Sequence, residues 1–246
     1  MLRKPGDNMA SERAPLSEGI SDKLIEMIAV GELKLNDPLP SEAELTVRFG
    51  VSKPVVREAL KQLALFGIVE IRQGRVARVK ALDSSVLEGF FRLAVRSDSN
   101  GLRDAIDLRR AVEVELAELA AARATRETQR PLEDAYRVME RNIDSLDPWL
   151  EGDFAFHMAL AHASENAIMQ HTIKGLSGVI RYTQRLLGVQ TDLRDARKTL
   201  KRHEAILQAV LDRDPPAAGA AMRVHFDSFR PVLAVIGTDR SRLARI

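Results

Sequence analysis

The chain has 246 residues, of which 45% are hydrophobic and 4% aromatic, enough apolar material for one large domain or two ordinary ones. It contains no cysteine, which excludes disulfides, thiolate zinc sites and cysteine nucleophiles and fits a reducing cytoplasm. A formal net charge of +2 gives no whole-chain sign of a nucleic-acid partner, and no apolar run approaches the roughly 18 residues of a membrane span.

The first 13 residues are polar, lack the apolar core of a signal peptide, and read as a flexible tail. A helix is expected from about Leu16 to Ala29, where Ile20, Leu24 and Ile28 recur at helical spacing; Gly31 stops it and Pro38 and Pro40 prevent early resumption. Ser41-Glu42-Ala43-Glu44 is a capping box that opens a short helix ending near Phe49-Gly50. Ser52 is a good N-cap and Pro54 lies in a first turn, where its missing N–H costs nothing. The helix they open carries Val55, Val56, Ala59, Leu60, Leu63 and Ala64 on one face and ends at Gly67. Ile68 to Ile71 reads as a strand, Gln73-Gly74 as a turn, and Val76 to Val79 as the return strand. Helix, helix, turn, helix, hairpin is the order of a winged helix-turn-helix.

Such a module lays its second helix in the major groove, with the N-terminal side chains of that helix reading bases. Here Ser52, Lys53 and Arg57 occupy that end, and Lys53, Arg57 and Lys61 form an i, i+4 row. The hairpin adds Arg72, Arg75, Arg78 and Lys80, a basic probe suited to the minor groove.

From about Asp83 onward no strand signal is present. Helices are expected near 83–95, 102–124, 128–143, 147–163, 166–187, 193–213 and 215–235. No 20–50-residue repeat is visible, so these helices should form a bundle and not a solenoid. The fold class is therefore mainly α. The expected organisation is a flexible tail at 1–13, a winged helix-turn-helix at 14–81, a linker helix at 82–101, a bundle of six or seven helices at 102–236, and a loose tail at 237–246.

Four polar residues of this second half fall where periodicity expects apolar ones. Asp153 and His157 share the stripe of Leu150, Phe154 and Leu160; His203 lies with Leu200, Ile206, Leu207 and Val210; His225 lies with Ala218, Ala221, Met222 and Phe229. A buried lone carboxylate costs several kcal/mol unless paired, and one aspartate with three imidazoles is best satisfied by a divalent cation. Nitrogen and oxygen ligands suit zinc foremost, then nickel or manganese. Arg109 lies on the stripe of Ile106, Val112, Leu116 and Leu119 and needs a partner, either a bound carboxylate or an internal acid such as Glu113. His162 and His171 fall outside the pattern.

Two sets of motifs carry a family resemblance. Leu39-Pro40-Ser41-Glu42-Ala43-Glu44-Leu45, Phe49-Gly50-Val51-Ser52-Lys53-Pro54-Val55-Val56-Arg57-Glu58-Ala59-Leu60 and Gly67-Ile68-Val69 resemble the DNA-binding domain of the GntR family over about 15–80. Leu108-Arg109-Arg110-Ala111-Val112-Glu113, Asp153-Phe154-Ala155-Phe156-His157, Asn166, Arg202-His203 and Ala221-Met222-Arg223-Val224-His225 resemble the FCD domain of its FadR branch over about 102–228. The resemblance implies a homodimer on double-stranded DNA bearing an inverted-repeat operator. It implies DNA contacts from Ser52, Lys53 and Arg57 and, at the wing tip, from Gln73, Gly74 and Arg75; Ser41 and, from the basic row, Lys61 are further candidate DNA contacts. It further implies a metal held by Asp153, His157, His203 and His225, and a small carboxylate effector completing its coordination, with Arg109 binding the carboxylate and Asn166 lining the pocket. Ala43 departs from relatives with an arginine there, Val76 replaces a second wing glycine, and Asp107 stands where many members have Glu.

The expected function is a ligand-responsive, cytoplasmic transcriptional regulator, a repressor, not an enzyme and not a membrane protein. One alternative is the same regulator sensing a larger carboxylated cofactor or acyl-CoA beside a structural metal. Another is a metalloenzyme using the Asp/His3 site, against which stands the lack of an obvious general base beside the ligands.

Overall fold

The computed structural model describes residues 7–98, 100–188 and 195–229, with side chains from residue 16 onward except at 187. The chain divides into two compact units, Met1–Val86 and Leu87–Ile246. Among the described residues no helix is long and apolar enough to cross a membrane.

The first unit contains α1 (Asp7–Ala29), α2 (Glu42–Phe49), α3 (Lys53–Leu65), β1 (Val69–Glu70) and β2 (Arg78–Val79). Helix α1 starts well before the expected Leu16, so the tail expected at 1–13 is helical from Asp7; a nucleated helix propagates cheaply through the Ser, Glu, Arg and Ala that precede the apolar stripe. Residues 1–6 lie outside the described residues. Helix α2 begins on the expected capping box: Ser41 Oγ accepts from the Glu44 N–H at 3.2 Å and Glu44 Oε2 accepts from the Ser41 N–H at 2.7 Å. It ends at Gly50, whose φ of 65° is left-handed. Ile20, Leu24, Leu45, Val56, Ala59 and Leu63 interlock as the core of this unit. Ser21 adds a polar tie between α1 and α3, its buried hydroxyl lying 3.0 Å from Gln62 Oε1 and 3.3 Å from the Ala59 carbonyl.

Strands β1 and β2 pair antiparallel, Val69 opposite Val79. A third segment joins them: Leu39 N–H donates to Ala77 O, Val79 N–H to Asp37 O and Asn36 N–H to Val79 O. In the sequence Pro38 and Pro40 read only as helix stops. Their neighbours in fact supply the backbone groups that satisfy the open edge of β2.

The second unit contains the remainder of α4 (Ser85–Ser97) and then α5 (Gly101–Arg123), α6 (Arg126–Arg141), α7 (Leu146–Ala163), α8 (Ala167–Gly175), α9 (Ser177–Gly188), α10 (Ala196–Leu211) and α11 (Pro215–Asp227). The helix expected over 166–187 is two helices, broken at Leu176 between Gly175 and Ser177-Gly178. Of the helix expected over 215–235, the residues from 230 on, and the tail at 237–246, lie outside the described residues. Helix starts obey local chemistry: Thr125, Asn166, Asp195 and Asp214 each cap a helix with a side-chain oxygen.

Helix α7 is the spine of this unit and packs on α5, α6, α8 and α9, while α11 packs on α5 and α10. Ala117, Ala120, Ala121, Leu132, Met139, Phe156, Leu160, Ile206, Val210, Met222 and Phe226 form its main core. The closest helix approaches use glycine. A Cβ on Gly152 would lie 2.9 Å from Met139 Cγ and 3.0 Å from the Met139 nitrogen of α6. Gly152→Ala should therefore lower stability by about 1–3 kcal/mol despite alanine's better helix propensity, because α6 and α7 must part. Urea unfolding checks this; an unchanged or raised midpoint would contradict the packing described.

Candidate metal centre and DNA-reading face

In the second unit α5, α7, α10 and α11 each turn one polar stretch inward. Asp153 and His157 come from α7, His203 from α10 and His225 from α11, and all four are at least 95% buried. One nitrogen from each of His157, His203 and His225 falls within 4.8 Å of the others. Asp153 Oδ1 lies 2.8 Å from His203 Nε2 and 4.0 Å from His157 Nε2. The expected set thus converges from three helices. The i, i+4 spacing of Asp153 and His157 puts both on the inner face of α7.

The surroundings aim the rings. His203 Nδ1 lies 2.9 Å from the Thr199 carbonyl, so Nδ1–H donates there and the Nε2 lone pair faces the centre. His157 turns Nδ1 onto Glu113 Oε2, which leaves its Nε2 facing Asp153. Gln184 Nε2 donates to the second oxygen of Asp153. Aromatic edges fix the ring planes: Phe156 packs on His203, with ring centres 4.9 Å apart, and Phe226 and Phe229 pack on His225 at 5.3 and 5.1 Å.

His225 is the anomaly. Both of its ring nitrogens are buried and have no hydrogen-bond partner among the described residues. Burial, with the nearby His203, His157 and Arg109, holds its pKa well below the ordinary histidine value, so it is a neutral donor of a lone pair. Burial alone would push Asp153 up, but His203, His157 and Arg109 outweigh it and hold the carboxyl below its usual range. Three imidazole nitrogens, one of them on His225 with no hydrogen-bond partner among the described residues, and one carboxylate fit a divalent cation.

Arg109 is buried as well, and its Nε donates to Glu113 Oε1 at 2.8 Å. The internal acid is therefore the partner the structure shows. Arg109 Nη1 reaches Thr183 at 3.4 Å, and the guanidinium lies 5.2 Å from the Phe226 ring centre. Burial would raise Glu113, but Arg109 and His157 hold it below the usual carboxylate range. Asn166 is half-buried and uses its side-chain oxygen to cap α8 at the Met169 N–H; none of its hydrogen bonds reaches the histidine cluster. Sequence reasoning missed Thr183 and Gln184, whose side chains reach Arg109 and Asp153 from α9. The signal was a polar pair between Ile180 and Leu186, hidden when α8 and α9 are read as one helix.

In the first unit Lys53, Arg57 and Lys61 are exposed along one face of α3. Arg57 Nε donates to Glu42 Oε2 at 2.9 Å, so α2 props the central arginine of the row. Ser52 sits at the N-cap of α3 but makes no side-chain cap bond, unlike the expected capping contact. Ser41 is held in its capping box. At the hairpin tip the Arg75 N–H closes a turn on the Arg72 carbonyl at 3.0 Å, and Gly74 takes a φ of 71° that side chains disfavour. Gln73, Gly74 and Arg75 are all exposed there.

A basic helix row beside an exposed basic hairpin, with an all-helical unit built around a polar centre, defines a DNA-binding regulator with a ligand-binding domain. The family model for the gntR family of bacterial regulatory proteins matches residues 16–79, and that for the FCD domain matches residues 104–228. The chain belongs to the GntR family and carries the FCD domain of its FadR-like branch. It is 30% identical over 214 residues to the HTH-type transcriptional regulator LutR of Bacillus subtilis, covering 85% of this chain and 96% of that one. It is 31% identical over 249 residues to the Glc operon transcriptional activator of Escherichia coli, covering 96% of each. It is 31% identical over 232 residues to the HTH-type transcriptional repressor NanR of Klebsiella aerogenes, covering 93% of this chain and 89% of that one. Among solved structures, a Streptococcus agalactiae GntR protein superposes with a TM-score of 0.68 at 29% identity, covering 87% of this chain and 99% of that one. These relatives are named as regulators, not enzymes, and the chain is a transcriptional regulator.

Proposed function

We propose that the protein represses transcription as a homodimer bound to an inverted-repeat operator, and that a carboxylate effector acting at a metal centre controls its DNA affinity. The observation that carries the metal reading is His225, a buried imidazole whose two nitrogens have no other described partner. Asp153, His157, His203 and His225 hold the cation, with zinc foremost and nickel or manganese as alternatives. The metal, when bound, supplies a Lewis-acidic position for an oxygen of the effector. Arg109 meets that carboxylate with its Nη groups, since its Nε is committed to Glu113. The capping role of Asn166 makes it a wall of α8, and not a direct ligand.

On DNA, Lys53, Arg57 and Lys61 face the major groove with Ser52, Ser41 adds a phosphate contact at the start of α2, and Gln73 to Arg75 probe the minor groove. A DNA partner fits a protein of the cytoplasm. Arg57→Ala should weaken operator binding about 10- to 100-fold, the cost of one base-reading contact. Fluorescence anisotropy against operator and random DNA checks this: an equal loss on both would make Arg57 a phosphate contact only.

Metal analysis of the purified protein, with a thermal-shift screen of organic acids, tests the sensing half. About one divalent ion per chain and stabilisation by small acids are expected. Acids that act equally on chelator-treated protein would overturn the role given to the metal. Response to acyl-CoA alone would favour the larger ligand.

A further inference from the structure

Glu113 has no assigned task in the metal set, yet it is 99% buried and lies between two groups of opposite character. One of its oxygens takes the Arg109 Nε–H at 2.8 Å; the other lies against His157 Nδ1. Arg109 and Glu113 share the inner face of α5 at i, i+4, while His157 comes from α7. Their ion pair is self-neutralising, so a plain structural pair would have no use for a third partner. Histidine ligands work best when the ring nitrogen away from the metal donates to a carboxylate, which fixes tautomer and orientation and raises basicity. Here Glu113 Oε2 lies against Nδ1 of His157. With Nδ1 turned to Glu113, Nε2 is the nitrogen on the side of Asp153, 4.0 Å from its Oδ1, and the rings of His203 and His225 are centred 5.5 and 5.3 Å from that of His157.

Resting on the metal reading above, we infer that Glu113 is a positioning residue. It presents His157 to the cation through Nε2, and it is itself held by Arg109. The chain Arg109–Glu113–His157 then joins the residue that meets the effector to a residue that holds the metal, so occupancy of one tunes the other reciprocally.

The test uses the full chain, stripped with a chelator and titrated with zinc alone against a chromophoric competitor. Wild type, Glu113→Gln and His225→Leu are compared, with circular dichroism as the fold check. Tight wild-type binding, loss in His225→Leu, and a 10- to 100-fold weaker affinity in folded Glu113→Gln are expected, as for removal of a carboxylate behind a ligand histidine, about one to two orders of magnitude. Wild-type affinity in Glu113→Gln would overturn the inference while leaving the metal reading intact. Equal binding by wild type and His225→Leu would instead overturn the metal reading itself. A measurement on wild type covers the case of a variant that does not fold: long-range proton–nitrogen spectra of the zinc-loaded protein should show His157 protonated at Nδ1 and metal-shifted at Nε2. A His157 bound through Nδ1 would overturn the inference.

Discussion

Replacing His225 by leucine is expected to stabilise the metal-free protein while removing its tight zinc binding. The two effects have opposite sign because one feature causes both. A buried polar group with no partner costs about 1–3 kcal/mol, and His225 has two such nitrogens among the described residues. Leucine is close in volume, and Phe226 and Phe229 pack on His225 from its own side, with His203 and His157 facing it at 4.5 and 5.3 Å between ring centres. Urea unfolding with chelator present should therefore give the variant a larger unfolding free energy, by roughly 1–3 kcal/mol, and a higher midpoint. With zinc present the order should reverse. Four-ligand zinc sites bind with about 10–16 kcal/mol, so losing one ligand should weaken binding about 100- to 1000-fold. A structural histidine would show neither the gain nor the reversal. A fall in metal-free stability would show that His225 is satisfied by contacts of the fold itself.

Arg109→Ala carries the second large effect, on stability. It strands Glu113 in the core, where burial opposes its charge and His157 is the other counter-group. Breaking one partner from a buried ion pair costs about 3–5 kcal/mol, a large share of a domain's total. Converting the pair to neutral groups of similar shape is often harmless. Arg109→Met with Glu113→Gln should therefore recover most of the loss, and a double-mutant cycle in urea measures it. Equal losses for the single and double variants would show that Arg109 acts through packing on Phe226, not through charge.

These results would also separate what the sequence could and could not reveal. Asp153, His157, His203 and His225 were legible because each broke an apolar stripe, and a stripe is a statement about burial that one sequence already contains. The capping box at Ser41 and the row Lys53, Arg57, Lys61 were legible because they depend only on local geometry. Glu113 was visible only as one possible partner for Arg109. Its contact with His157 joins α5 to α7, and no pattern within either helix encodes that meeting. It also places a carboxylate beside the candidate ligands, where the sequence showed no obvious general base. Thr183 and Gln184 were lost for a different reason. Gly175 and Gly178 bracket Leu176, and reading through them made one helix of two, which hid the residues α9 sends to Arg109 and Asp153. The edge supplied to β2 by Asn36 to Leu39 was hidden by Pro38 within it and Pro40 just after it. Proline marks the end of a helix clearly but says little about the partner of the extended chain beyond it.

In the function proposed above, occupancy of the histidine centre governs DNA binding. A footprint on the DNA upstream of the protein's own gene tests it most directly, run with chelated protein, with zinc-loaded protein, and with zinc-loaded protein plus each candidate acid. A protected inverted repeat with half-sites about one helical turn apart is expected, with a change in protection by an acid in the metal-loaded form that chelation or His225→Leu abolishes. Protection that responds to acids equally with and without metal, or no specific protection in any state, would contradict it.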